Sequence, residues 1–96
     1  MTILENKFPK TIFCKQYIEK YGINKAISKQ LEVVSGELFE IRDAFSKNEY
    51  EHSIEECIDA MQAIHTILYM IPGYSSEKVE KKLNEVKIKN EKRGYY

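Results

Sequence analysis

Ninety-six residues make one domain with a modest core, so copies of this chain are expected to share apolar surface as a homodimer or homotetramer. Fifteen basic and fifteen acidic side chains cancel, which argues against a protein whose whole surface attracts nucleic acid. Cys14 and Cys57 match no zinc or disulfide spacing and read as reduced core residues. The first ten residues carry charges and Pro9 instead of a signal peptide's apolar stretch, and Ile67 to Pro72 is too short to cross a bilayer. The expected location is cytoplasmic, with no membrane partner.

In chain order, Thr11 reads as an N-cap and Gly22 as a stop. They frame a short first helix, a lid or strap, with Ile12, Phe13, Tyr17 and Ile18 on its apolar side. Asn24 reads as the cap of a second helix running to about Ser46, where Leu31, Val34, Leu38, Ile41 and Phe45 recur at helical steps as a core stripe. Asn48 with Glu51 resembles a capping box for a third helix. Its expected core stripe is Ile54, Ile58, Met61, Ile64 or His65, Leu68 and Ile71, up to a stop at Pro72-Gly73. Ser75 or Ser76 caps a fourth helix, with Val79, Leu83 and Val86 inward, that ends by Gly94. No stretch reads as a strand. The expected fold is all-α: three to four helices in an antiparallel bundle completed by oligomerisation. It forms one domain over 1–96, with its core at about 24–93 and residues 1–22 as an amino-terminal extension.

Two acid pairs interrupt this apolar pattern: Glu37-x-x-Glu40 on the second helix and Glu56-x-x-Asp59 on the third. Side chains at i and i+3 share a helix face, so antiparallel packing can gather all four carboxylates. Converging carboxylates repel unless protonated or bound to a cation, and hard oxygen donors suit Mg²⁺, with Mn²⁺ as a substitute. The contrasting reading is boundary acids paired with Lys or Arg. Ala44, Ala60 and Ala63 leave room beside the acids. His52, one turn before Glu56, is placed to be a ligand or a partner of a ligand, but reads first as a surface residue in the opening turn of its helix, and His65 reads as a boundary one. Glu49-x-x-His52 raises a di-iron carboxylate bundle, but no second such motif follows. Among the tyrosines, Tyr17, Tyr21, Tyr50 and Tyr95 could include one that stacks on a base, but the favoured reading is that they pack or line a subunit interface, and none is named as base-binding.

The order Gln30-Leu31, Glu37-Leu38-Phe39-Glu40, Ala44 and then Glu55-Glu56-Cys57-Ile58-Asp59-Ala60 resembles the signature of the MazG-like all-α nucleoside triphosphate pyrophosphohydrolases. The tail Lys87-Ile88-Lys89-Asn90-Glu91-Lys92-Arg93-Gly94-Tyr95 is similar to that family's tail, so the resemblance spans roughly residues 24–95. It implies Mg²⁺-dependent cleavage of a (deoxy)nucleoside triphosphate to the monophosphate and pyrophosphate, serving nucleotide pool control. By the same resemblance Glu37, Glu40, Glu56 and Asp59 are metal ligands, and one of them or Glu55 orients the attacking water. Asn90 and Arg93, with Lys87 and Lys89, would hold phosphate oxygens. The segment from Glu77 to Arg93 has seven basic and four acidic side chains, which suits that role. One departure is Gly36, where the family commonly has a further acid. The alternative is a non-catalytic helical protein that binds nucleotide, nucleic acid or a partner chain.

Overall fold

The structure, a computed structural model, describes residues 6–10 and 12–96; Thr11 and the side chains of Ile12 and Phe13 lie outside the described residues. Among the described residues there are four α-helices and no strand: α1 Ile12–Tyr21, α2 Ile23–Ser46, α3 Tyr50–Met70 and α4 Ser76–Lys92. Among the described residues no helix is long and apolar enough to cross a membrane.

Gly22 both stops α1 and caps α2. Its φ of 76° and ψ of 162° belong to a region that only glycine enters readily. Its N–H donates to Ile18 O at 2.9 Å, and its carbonyl accepts from Ala26 N at 2.9 Å. The expected cap Asn24 is therefore already inside α2, and no side chain caps this end.

The α2–α3 turn also differs from the capping box expected at Asn48 and Glu51. Asn48 is left-handed at φ 61°, its N–H donates to Phe45 O at 3.0 Å, and Glu49 N–H donates to Ala44 O at 3.0 Å. These two bonds close α2 as a Schellman motif, so Asn48 ends one helix and Glu49, without a side-chain bond, precedes the next. Gly94 closes α4 in the same way, with Gly94 N–H on Glu91 O and Tyr95 N–H on Asn90 O, both at 3.0 Å. Ser75 caps α4 as expected, its Oγ accepting from Lys78 N at 3.2 Å.

The short turn folds α3 back antiparallel on α2, and this pair is the body of the molecule. Its seam corrects the expected core. The buried residues are Ala26, Gln30 and Ala44 on α2, facing Ser53, Glu56, Ala60, Ala63, Thr66 and Met70 on α3. Gln30 ties the helices together by donating to Ala63 O at 3.1 Å. The large stripe read as core lies one residue further along at nearly every step, about 100° around each helix. Leu31, Leu38 and Phe45 on α2 are exposed, as are Ile54, Ile58, Met61, Ile64 and Ile71 on α3; Leu38 is 55% and Phe45 63% exposed. Val34, Ile41 and Leu68 are half-buried. Both stripes have helical period, and the small one fits the close α2–α3 approach.

The apolar core collects at one end, where α1 crosses both long helices. Cys14, Ala26, Tyr69 and Met70 are buried there, with Tyr17, Ile18, Ile27 and Tyr74 packed around them. Cys14 Sγ donates to Thr66 O at 3.6 Å, so it is a core thiol as expected, whereas Cys57 is exposed. The segment before α1 straps across α3: Tyr69 Oη donates to Phe8 O at 2.6 Å, Gln62 Nε2 donates to Pro9 O at 3.3 Å, and Phe8 stacks on His65 at 4.6 Å. After Pro72 and Gly73, α4 leaves the body and, among the described residues, packs against no other helix, so Leu83 and Val86 stay exposed rather than inward.

Candidate functional site

The acids meet at the middle of the α2–α3 seam. Glu37 is half-buried on α2, opposite Glu56 of α3, which is 9% exposed. Glu37, Glu56 and Asp59 each offer a carboxylate oxygen, and these atoms lie within 4.8 Å of one another. Glu40, one turn beyond Glu37 and exposed, lies outside that three-residue group but close enough to Glu56, Glu37 and Asp59 to interact with them electrostatically. The two acid pairs therefore come together.

Their charges are not compensated by bases. Among the described residues no lysine or arginine forms an ion pair with any of the four acids. Among the described residues, the contact of these acids with a basic side chain is that of His52 Nε2 with Glu56 Oε1 at 3.0 Å. Glu37 Oε2 and Glu56 Oε2 are buried with no hydrogen-bond partner. Leaving such atoms unsatisfied is costly unless a ligand or proton meets them. The cluster acts on its own titration. Burial, and then the charge of Glu40, raises the Glu37 pKa above the ordinary carboxylate value. Glu40 is raised first by its hydrogen bond with Glu56 and then by the charge of that residue. Close carboxylates that favour protonation are also those that a divalent cation relieves.

A cavity of about 280 Å³ adjoins the acids, walled by Tyr17, Gln30, Val33, Gln62, Ala63 and Thr66, with Glu37 and Asp59 at its edge. Gln30 is held by its bond to Ala63 O. Thr66 turns its hydroxyl back to Gln62 O at 3.1 Å. A larger groove of about 450 Å³ between the end of α3 and α4 is lined mainly by apolar side chains such as Leu68, Ile71, Val79 and Leu83, and includes none of the acids.

Other expected site residues stand apart. Glu55 is exposed and outside the three-acid group. Lys87, Lys89, Asn90 and Arg93 belong to or follow the unpacked α4, and none lines the acid-side cavity. Asn90 is half-buried through the Schellman closure, and Lys87 O accepts from Tyr96 Oη at 3.2 Å. Gly36 does not break α2, and a Cβ there would meet nothing within 4 Å.

Sequence reasoning missed Gln30, Gln62 and Thr66 as cavity residues, and it preferred a surface role for His52 over the role of partner to Glu56 that its spacing also offered. Spacing carried the signal: Gln30 is two turns before Glu37, Gln62 is one turn after Asp59, and His52 is one turn before Glu56. No family model, no curated protein and no solved structure matches this chain.

Proposed function

We propose that this chain is a Mg²⁺-dependent nucleoside triphosphate pyrophosphohydrolase. The observation that carries the reading is the pair of buried, unpartnered oxygens, Oε2 of Glu37 and Oε2 of Glu56, gathered with Asp59 and without a lysine or arginine ion pair among the described residues. Glu37, Glu40, Glu56 and Asp59 would hold the cation, which, when bound, neutralises phosphate oxygens and lowers the pKa of a water. The motif resemblance adds the substrate class: cleavage between the α- and β-phosphates, giving monophosphate and pyrophosphate. The adjoining cavity, with an aromatic ring and two carboxamides in its wall, suits the nucleoside part by apolar contact and hydrogen bonding.

The chain acts as a homo-oligomer in this reading. A stripe of large apolar side chains on α2 and α3 is left exposed, and among the described residues α4 packs against no other helix, as expected of surfaces that another copy covers. Association of copies covers the stripe and allows the basic end of one α4 to face the acids of another protomer, which would bring Asn90 and Arg93 to phosphate. The same stripe favours the second reading, a helical interaction protein without catalysis. Substituting Glu40→Gln, Glu56→Gln or Asp59→Asn separates the two. Loss of turnover with unchanged helical circular dichroism supports the enzyme, and full activity in all three variants overturns the site.

A further inference from the structure

The two oxygens of the buried Glu56 carboxyl sit in different settings. Oε1 lies 3.0 Å from Nε2 of His52, one turn earlier on α3, whereas Oε2 is buried without a partner. A glutamate side chain has enough freedom to swing away from a buried position in which one oxygen is unsatisfied and three like charges stand nearby. The contact with His52 opposes that swing. The imidazole is itself half in solvent, with 53% of its side chain exposed, so it holds the carboxyl from the rim without burying a ring.

We propose that His52 is a positioning residue for the acid cluster: by donating from Nε2 to Oε1 it fixes the Glu56 carboxyl and reserves Oε2 for a cation shared with Glu37 and Asp59. This rests on the metal reading of the site. A hydrogen bond to one oxygen of a ligating carboxylate restricts its orientation, and loss of such an outer partner typically lowers metal affinity about 10–100-fold. The donor is the requirement, not the ring. Glutamine puts a carboxamide N–H the same number of bonds from Cα as Nε2 of histidine, whereas phenylalanine keeps a ring and removes the donor.

The test is calorimetric titration of the full chain with Mn²⁺, comparing wild type with His52→Ala, His52→Phe and His52→Gln, each first checked for unchanged helical circular dichroism. The expected result is binding weakened about 10–100-fold in His52→Ala and His52→Phe, with His52→Gln restored to within about threefold of wild type. A merely structural role would not sort the variants by their donor. Wild-type binding with equal affinity in His52→Ala overturns the positioning role and leaves the metal site standing, as does a His52→Gln variant as weak as His52→Ala. A wild-type chain that takes up no Mn²⁺ overturns both.

Discussion

Replacing Glu37 by Gln should raise the stability of the metal-free protein and abolish its response to metal. The change keeps the shape of the side chain while removing one negative charge from the group formed with Glu56 and Asp59 inside 4.8 Å. At that separation Coulomb repulsion is about 0.9 kcal/mol per pair in water and about 3.5 kcal/mol at an effective dielectric constant near 20. Glu37 is only half-buried, so solvent screening keeps the net gain near the lower figure, about 1 kcal/mol. For a domain this small that is an upward shift of about 4–8 °C in the melting midpoint. A divalent cation at ten times its dissociation constant should stabilise the wild type by about 1.4 kcal/mol and the variant by nothing comparable. The two melting curves therefore exchange order when metal is added.

The pH dependence follows from the same cluster. Glu37, through burial and then Glu40, and Glu40, through its bond with Glu56, hold protons more tightly when folded than the ordinary carboxylate with its pKa of 4.5. Between that value and the raised ones the folded chain binds more protons than the unfolded chain, so these groups lower stability as pH rises across the window. Glu37→Gln should flatten that fall. Differential scanning fluorimetry at several pH values, with and without Mg²⁺, measures all of this. A variant that melts below wild type without metal, or that gains as much from Mg²⁺, would refute the reasoning.

Other outcomes test the fold and the assembly. Ile58 is 50% exposed, and completing its burial between copies is worth about 0.8–1.5 kcal/mol per protomer by half of the usual full-burial value. Ile58→Lys should accordingly shift sedimentation equilibrium toward monomer by at least tenfold in dissociation constant, and a wild type that is monomeric at all concentrations would contradict the shared-surface account. Asn48→Ala forces alanine into the left-handed turn that ends α2 and should cost about 1 kcal/mol in urea unfolding, whereas Asn48→Gly should not. Ser75→Ala removes the side-chain cap of α4 and should cost about 1 kcal/mol locally, read as faster amide exchange at Lys78 with the α2–α3 amides unchanged.

The helices were legible in the sequence because their breaks are chemical: Gly22, Asn48 and Pro72-Gly73 interrupt long periodic segments, and Ser75 caps the last one. The core was not legible, because two stripes of the same period run side by side on α2 and α3. Size marked Leu31, Leu38 and Phe45 as inward, yet Ala26, Gln30 and Ala44 occupy the seam. Periodicity gives the angular width of a face but not its partner, and large residues that stay exposed look like core in the sequence. The acid pairs were legible because i and i+3 positions place carboxylates together whichever stripe packs. The contribution of His52 depended on which oxygen of Glu56 it touches, and spacing alone does not specify that. The expected roles of Asn90 and Arg93 depend on where α4 docks, which its own sequence leaves unspecified.

The most direct test of the central claim is pyrophosphate release from a panel of ribo- and deoxyribonucleoside triphosphates, with Mg²⁺ and with chelator, alongside Glu56→Gln. The account predicts metal-dependent pyrophosphate matched by nucleoside monophosphate, absent with chelator and in the variant; no release from any triphosphate, or equal release by Glu56→Gln, would contradict it.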